Sequence, residues 1–117
     1  MILVDTSVWI DHLRRRDEAF AMLLDAGEVA THALVIEELA CGNLRRRRET
    51  LALLSELPMA PAISHPEILE FITSESLHGR GLGAIDVHLL ASARLAGIPL
   101  WSRDKALQQA ATRLHLA

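Results

Sequence analysis

Twice in this sequence a short apolar run ends in polar, helix-capping residues and passes at once into helical spacing. Ile2-Leu3-Val4 leads into Asp5-Thr6-Ser7, and Ile98-Pro99-Leu100-Trp101 leads into Ser102-Arg103-Asp104. Such runs, too short for helices and bounded by capping residues, are the pattern of buried strands. Glu28 to His32 reads as a further short strand between helices. Strands alternating with helices imply a mostly parallel sheet sandwiched between helical layers, an α/β fold of three layers.

The remaining elements follow from apolar spacing and punctuation. Val8, Trp9, Ile10 and Leu13 predict a helix after the Asp5 cap. Asp17 opens a second helix that carries Phe20, Met22, Leu23 and Leu24 and stops near Gly27. A third runs from Leu34 to a C-cap at Gly42. Residues 45–57 predict a fourth, and its basic first turn opposes the helix dipole, so helix stability does not explain those arginines. Pro58 and Pro61 bracket an extended Met59-Ala60. His65 to Leu77 predicts a helix with Pro66 in its first turn. Ala84 to Ala96 is apolar nearly all round and is expected to be buried. Lys105 to Ala111 forms the last helix, and Leu114 to Ala117 is a candidate final edge strand. The loop from His78 to Gly83 lacks the spacing of a dinucleotide fingerprint and reads as a turn.

At 117 residues the chain suits one domain spanning 1–117. With four aromatic residues and no Tyr, its core must come mainly from Leu, Ile, Val and Ala. Cys41 is alone, which excludes an intramolecular disulfide and a multi-cysteine zinc site. The N-terminal stretch lacks signal-peptide regions, and no apolar run reaches the roughly 20 residues of a membrane span. The expectation is a cytoplasmic protein without a membrane association. Net charge is −3, yet Arg14–Arg16 and Arg45–Arg48 hold seven of the twelve basic residues. Those runs suit either solvated helix ends or contact with RNA phosphates.

Chemistry points to the acids. Ligands of open parallel sheets gather beyond the carboxyl ends of the strands. Asp5 and Asp104 occupy two such junctions, Asp86 lies in the first turn of the most apolar helix, and Glu38 sits within an apolar helix. Singly, Asp5 and Asp104 read as caps, Asp86 as a dipole partner and Glu38 as an exposed residue. Together they suggest one site, since flanking sequence is expected to bury all four. Crowded carboxylates need a cation, and an all-oxygen donor set points to Mg²⁺ or Mn²⁺ over zinc. That combination suits phosphodiester hydrolysis by metal-activated water. The six histidines lack a paired ligand spacing; His88, two residues from Asp86, is the nearest to a role. Ser7 and Ser102 lie outside any nucleophile elbow.

Four segments then resemble a known family in order and spacing. Val4-Asp5-Thr6-Ser7-Val8-Trp9-Ile10-Asp11 resembles the opening of PIN-domain toxins of the VapC kind. Ile36-Glu37-Glu38-Leu39-Ala40-Cys41-Gly42 is similar to their second motif, and the match to Leu39 and Gly42 selects Glu38 over Glu37. Asp86-Val87-His88-Leu89-Leu90-Ala91-Ser92-Ala93 and Pro99-Leu100-Trp101-Ser102-Arg103-Asp104-Lys105 resemble the third and fourth. The resemblance implies a Mg²⁺- or Mn²⁺-dependent endoribonuclease with Asp5, Glu38, Asp86 and Asp104 as catalytic and metal-binding acids. Ser7 and Ser102 match supporting hydroxyls. Arg14, Arg45 and Arg103 are the candidate RNA contacts. It further implies a homodimer and a small antitoxin lying in a groove, for which the Leu-rich 51–57 helix is a candidate wall. Two other readings stand beside it. One is a haloacid-dehalogenase-like phosphatase using Asp5, which requires a second Asp where Ser7 stands. The other is a non-catalytic PIN or receiver-like binding module.

Overall fold

The computed structural model describes residues 1–117. The order of elements is β1 (Ile2–Val4), α1 (Thr6–Arg14), α2 (Glu18–Asp25), β2 (Val29–Ala30) and α3 (Ala33–Ala40). There follow α4 (Arg47–Ser55), α5 (His65–Ser74), α6 (Ala84–Ala96), β3 (Leu100–Trp101) and α7 (Lys105–Arg113). The three strands form one sheet in the order β2-β1-β3, with both pairs parallel. Leu3 is the hinge of the register, facing Ala30 on one side and Leu100 on the other. Successive strand residues point to opposite faces, yet Leu3 and Val4 are both fully buried. Helices therefore cover the sheet on both faces, as a parallel sheet requires.

The strand order also locates the site. From β1 the chain moves to one side to make β2, then crosses back past β1 to make β3. The reversal leaves a crevice between the carboxyl ends of β1 and β3, the place where open α/β sheets bind ligands. Backbone bonds lock those two ends together: Leu3 N–H donates to Pro99 O at 2.9 Å, and Asp5 N–H to Trp101 O at 2.9 Å.

Most of the core is aliphatic, but three of the four aromatics meet in one cluster. Phe20 lies edge-on to Trp9 at 4.7 Å and to Trp101 at 5.7 Å, joining α2, α1 and β3. His12 completes it, 4.9 Å from Phe20, with Nδ1 accepting from Asp17 N–H. Burial holds His12 below its usual pKa, followed by the charge of Arg16.

Several expected boundaries move, each for a local reason. The 45–57 helix begins only at Arg47, because Arg46 sits at φ 46° and supplies no side-chain cap. The second strand shortens to Val29–Ala30, while Thr31 makes a parallel bridge to Met59 and extends the sheet edge there. The final strand does not form. His115, at φ 60°, bends the tail out of an extended path, and only Leu116 O reaches the sheet, accepting from Leu100 N–H at 2.6 Å. The helix at 84–96 is buried from Val87 to Ala93, except for half-buried His88, and then emerges, leaving Leu95 exposed. No helix is long and apolar enough to cross a membrane.

Phe20 is fully buried at the junction of three elements. Phe20→Ala is expected to lower the free energy of unfolding by about 3–5 kcal/mol, read by urea denaturation.

Candidate active site

Asp5 forms the floor of the crevice. Its position directly after β1 makes it the N-cap of α1, with Oδ2 accepting from Ser7 N–H at 3.4 Å. The same oxygen accepts from the Ser7 hydroxyl at 2.8 Å and from the Ser102 hydroxyl at 2.8 Å. These hydroxyls, one from α1 and one from the end of β3, let a carboxylate that is only 5% exposed remain in place. Oδ1 has no hydrogen-bond partner in the protein.

The other acids follow the same arrangement. Asp104 caps α7, its Oδ2 accepting from Leu107 N–H at 3.0 Å, while its own N–H donates to Ser102 Oγ at 2.9 Å. Asp86 sits in the first turn of α6, and its Oδ2 accepts from Gly83 N–H at 2.9 Å. Glu38 projects from α3 toward α1, where Oε1 accepts from the Thr6 hydroxyl at 2.6 Å. Glu37, beside it, is exposed and makes no such bond. Each of the four carboxylates thus commits one oxygen to the protein and leaves the other free. Capping therefore does not exclude a further role for these acids, because a cap uses only one oxygen.

Burial is graded, against the expectation that all four acids are enclosed. Asp5 is buried and Asp86 half-buried, whereas Glu38 and Asp104 are exposed at the rim. The crevice is open on one side, so only the strand end beneath it is shielded. The acids still feel each other: burial raises the Asp86 pKa above its ordinary 3.8, and the charges of Asp5, Asp104 and Glu38 push it further up, against the Gly83 hydrogen bond.

No three acidic, imidazole or thiol groups converge closely enough to hold a common ion. The donor chemistry nevertheless fits a hard divalent cation. Mg²⁺ binds through one or two carboxylates and keeps several waters, so it does not need a closed protein cage. The residues whose free oxygens could take part in such an open site are Asp5, Asp86, Asp104 and Glu38.

A cleft of about 550 Å³ opens beside Glu38. Ile10, Leu13 and Leu39 contribute apolar wall, Glu38 reaches in from the site side, and Arg14 and Arg45 also line it. The structure places Arg103 differently, with its guanidinium between Asp11 and Asp17. The histidines stand apart from the carboxylates. His32 is buried, bonded through Nε2 to Ser92 Oγ at 3.1 Å, and its Nδ1 accepts from Leu34 N–H as the cap of α3. His88 lies with its ring 6.5 Å from that of His32.

The PIN domain family model matches residues 2–113. This chain belongs to the PIN-domain family. Over its whole length it is 48% identical to Ribonuclease VapC32 of Mycobacterium tuberculosis, in strains CDC 1551 / Oshkosh and ATCC 25618 / H37Rv, covering 95% of that protein. Among solved structures, FitAcB from Neisseria gonorrhoeae superposes with a TM-score of 0.68 at 22% identity, over 96% of this chain and 94% of that one. FitAB bound to an IR36 DNA fragment gives 0.63 at 21% identity, over 96% and 91%. At such identities these structures speak to the fold, which is the PIN arrangement.

Two supports of this PIN-domain site are not evident in the sequence. Thr6 reads there as a capping residue, but its hydroxyl reaches 32 positions along the chain to Glu38. Gln108 reads as an ordinary helix residue, but its Oε1 accepts from Ser102 N–H at 3.0 Å and fixes the end of β3. Neither contact leaves a local pattern.

Ser102→Ala removes one of the two hydroxyls on Asp5 and orphans the Asp104 N–H. The expected loss is about 1–3 kcal/mol in unfolding free energy, measured by denaturation without added metal. Asp86→Asn has the opposite sign. A carboxyl whose folded pKa exceeds its unfolded value destabilises the fold when ionised. That penalty fades as pH falls through the raised value, and is gone below the unfolded value of about 3.9. Without divalent ions, Asp86→Asn is expected to stabilise the protein at pH 7, with the gain shrinking on acidification in denaturation series.

Proposed function

We propose that this PIN domain is a Mg²⁺- or Mn²⁺-dependent endoribonuclease and the toxin half of a type II toxin–antitoxin pair. The observation carrying this reading is the set of four carboxylates around the β1/β3 crevice, each anchored through one oxygen and free at the other. Full-length identity of 48% to a protein named as a ribonuclease supports the same assignment.

In this reading Asp5, Glu38, Asp86 and Asp104 are the catalytic acids and would hold the ion. When bound, it would acidify a water molecule and neutralise charge on the phosphodiester. The protein supplies the rest. Ser7 and Ser102 fix the Asp5 carboxylate by holding Oδ2, so that Oδ1 is directed by the fold and not by rotation. Thr6 does the same for Glu38. Arg14 and Arg45 flank the cleft next to Glu38 and would take backbone phosphates, the sequence-independent part of RNA binding. That role accounts for a basic run kept at the poorly capped start of α4.

The apolar residues of this cleft, with Arg14 and Arg45 among them, suit an amphipathic segment of an antitoxin. The helix ends at Ser55, short of the expected Leu57, and Leu53 is exposed while Leu54 is buried, so α4 presents only part of its leucines to a partner. A homodimer and a cytoplasmic setting complete the reading. The phosphatase alternative finds no support, because Ser7 gives its hydroxyl to Asp5 and no acid stands two residues on to protonate a leaving group.

Purified protein is expected to cleave RNA with added Mn²⁺ or Mg²⁺ and to stop on chelation. Asp5→Asn, with its fold verified by circular dichroism, is expected to lose on the order of 100-fold or more. That is the upper range for residues that merely support a metal site. Absence of cleavage of any RNA class under these conditions, or full activity in both Asp5→Asn and Asp104→Asn, overturns the assignment.

A further inference from the structure

Arg103 stands between the acids of the site and a pair of acids outside it. Its Nη1 donates to Asp11 Oδ2 at 2.8 Å and its Nη2 to Asp17 Oδ2 at 2.5 Å. The guanidinium lies over the Trp101 ring, 5.4 Å from the centroid, and Trp101 rests in turn on Phe20. Its backbone is held as well, since Arg103 N–H donates to Ser7 Oγ at 2.9 Å. One residue therefore joins the loop after β3 to the outer turns of α1, through Asp11, and to the cap of α2, through Asp17.

These bonds turn the guanidinium toward α1 and α2. Within the trio one positive charge faces two negative ones, so Arg103 is already paired, while Arg14, Arg15 and Arg16 line the same surface hollow and keep it basic. Each terminal nitrogen spends one N–H on a carboxylate, and the two bonds together fix the direction of the guanidinium. The hydrogen bond from Arg103 also holds the Asp17 carboxyl below its ordinary pKa, so that acid stays charged through neutral pH. The residues on either side are the ones that matter for chemistry. Ser102 bonds Asp5, and Asp104 contributes a free oxygen to the crevice.

Resting on the nuclease reading above, we propose that Arg103 is a positioning residue and not an RNA contact. It pins the Ser102–Asp104 loop to α1 and α2, so that the Asp104 carboxylate keeps its place opposite Asp5. The α1–α2 turn becomes a support of the site, although neither Asp11 nor Asp17 reaches the crevice.

The two roles predict opposite effects from removing the acids. If Arg103 touched RNA, Asp11→Asn with Asp17→Asn would free it and remove negative charge, tightening RNA binding. As a clamp, the same pair of changes acts like Arg103→Ala. Asn at 17 retains an oxygen for the α2 cap, so the fold is spared. The expected result is that Arg103→Ala and the Asp11→Asn/Asp17→Asn variant each lower kcat by about 10- to 100-fold with KM little changed. Combining them is no worse than either alone, the sign that they break one interaction. Arg103→Lys, able to reach one carboxylate at a time, recovers part of the rate. Mn²⁺ affinity by calorimetry falls in parallel, and hydrogen exchange at the Asp104 amide accelerates in both variants.

An unchanged Asp104 exchange rate in both variants overturns the clamp, whether or not the parent protein cuts RNA. So does a raised KM with a shallower salt dependence in Arg103→Ala, alongside tighter RNA binding in the Asn variant. A parent without nuclease activity overturns the functional reading alone, since the exchange measurement still tests the clamp.

Discussion

The Asp5 carboxylate lies buried at the end of the central strand, and two serine hydroxyls converge on one of its oxygens. Taking a charge out of water is costly unless its oxygens are bonded, and here the donors come from both sides of the crevice. Ser7 follows Asp5 by two residues, whereas Ser102 arrives from 97 positions away. The bond to Ser102 needs β3 seated against β1, and that seating brings Asp104 to the rim. Site and sheet are in this sense one structure: the pairing that builds the sheet also satisfies the charge.

The same economy recurs around the crevice. Three of the acids are helix caps or first-turn residues, so each is stabilised by backbone N–H groups that helices leave unpaired. A cap needs one oxygen and a carboxylate has two. Helix termini can therefore bring carboxylates toward one region while leaving an oxygen of each unbonded. Burial raises the pKa of Asp86, and the charges of the other three acids add to it. Outside this ring, the charges are arranged to other ends. Arg103 is neutralised by Asp11 and Asp17, while Arg14 and Arg45 lie along the adjacent cleft with no such partners. A chain of net negative charge can thus present a locally basic path beside an acidic centre.

Much of this was legible in order and spacing. Short apolar runs ahead of Asp5 and Asp104 announced the strand ends, and capping residues announced the helices, because both signals are local. Glu38 over Glu37 follows from its motif, and in the fold Glu38 bonds to Thr6 whereas Glu37 does not. Less visible were the ends of elements. The late start of α4 depends on a left-handed Arg46, and the missing last strand on a left-handed His115; neither conformation has a reliable mark in a non-glycine residue. Enclosure of all four acids was overstated, because flanking apolar residues indicate a buried helix face and not which side of a crevice stands open.

By itself the sequence determined the strand–helix alternation and where along it the acids and the arginine runs fall, since each rests on residue type and nearest neighbours along the chain. Tertiary structure alone decided how those pieces serve one another. It set Ser102 on Asp5, Thr6 on Glu38 and Gln108 on the end of β3, and it turned Arg103 away from the cleft onto Asp11 and Asp17. The physical reason is reach. Hydrogen bonds act over about 3 Å and join residues up to 97 positions apart, so their partners are fixed by packing and strand register and leave no trace in local spacing.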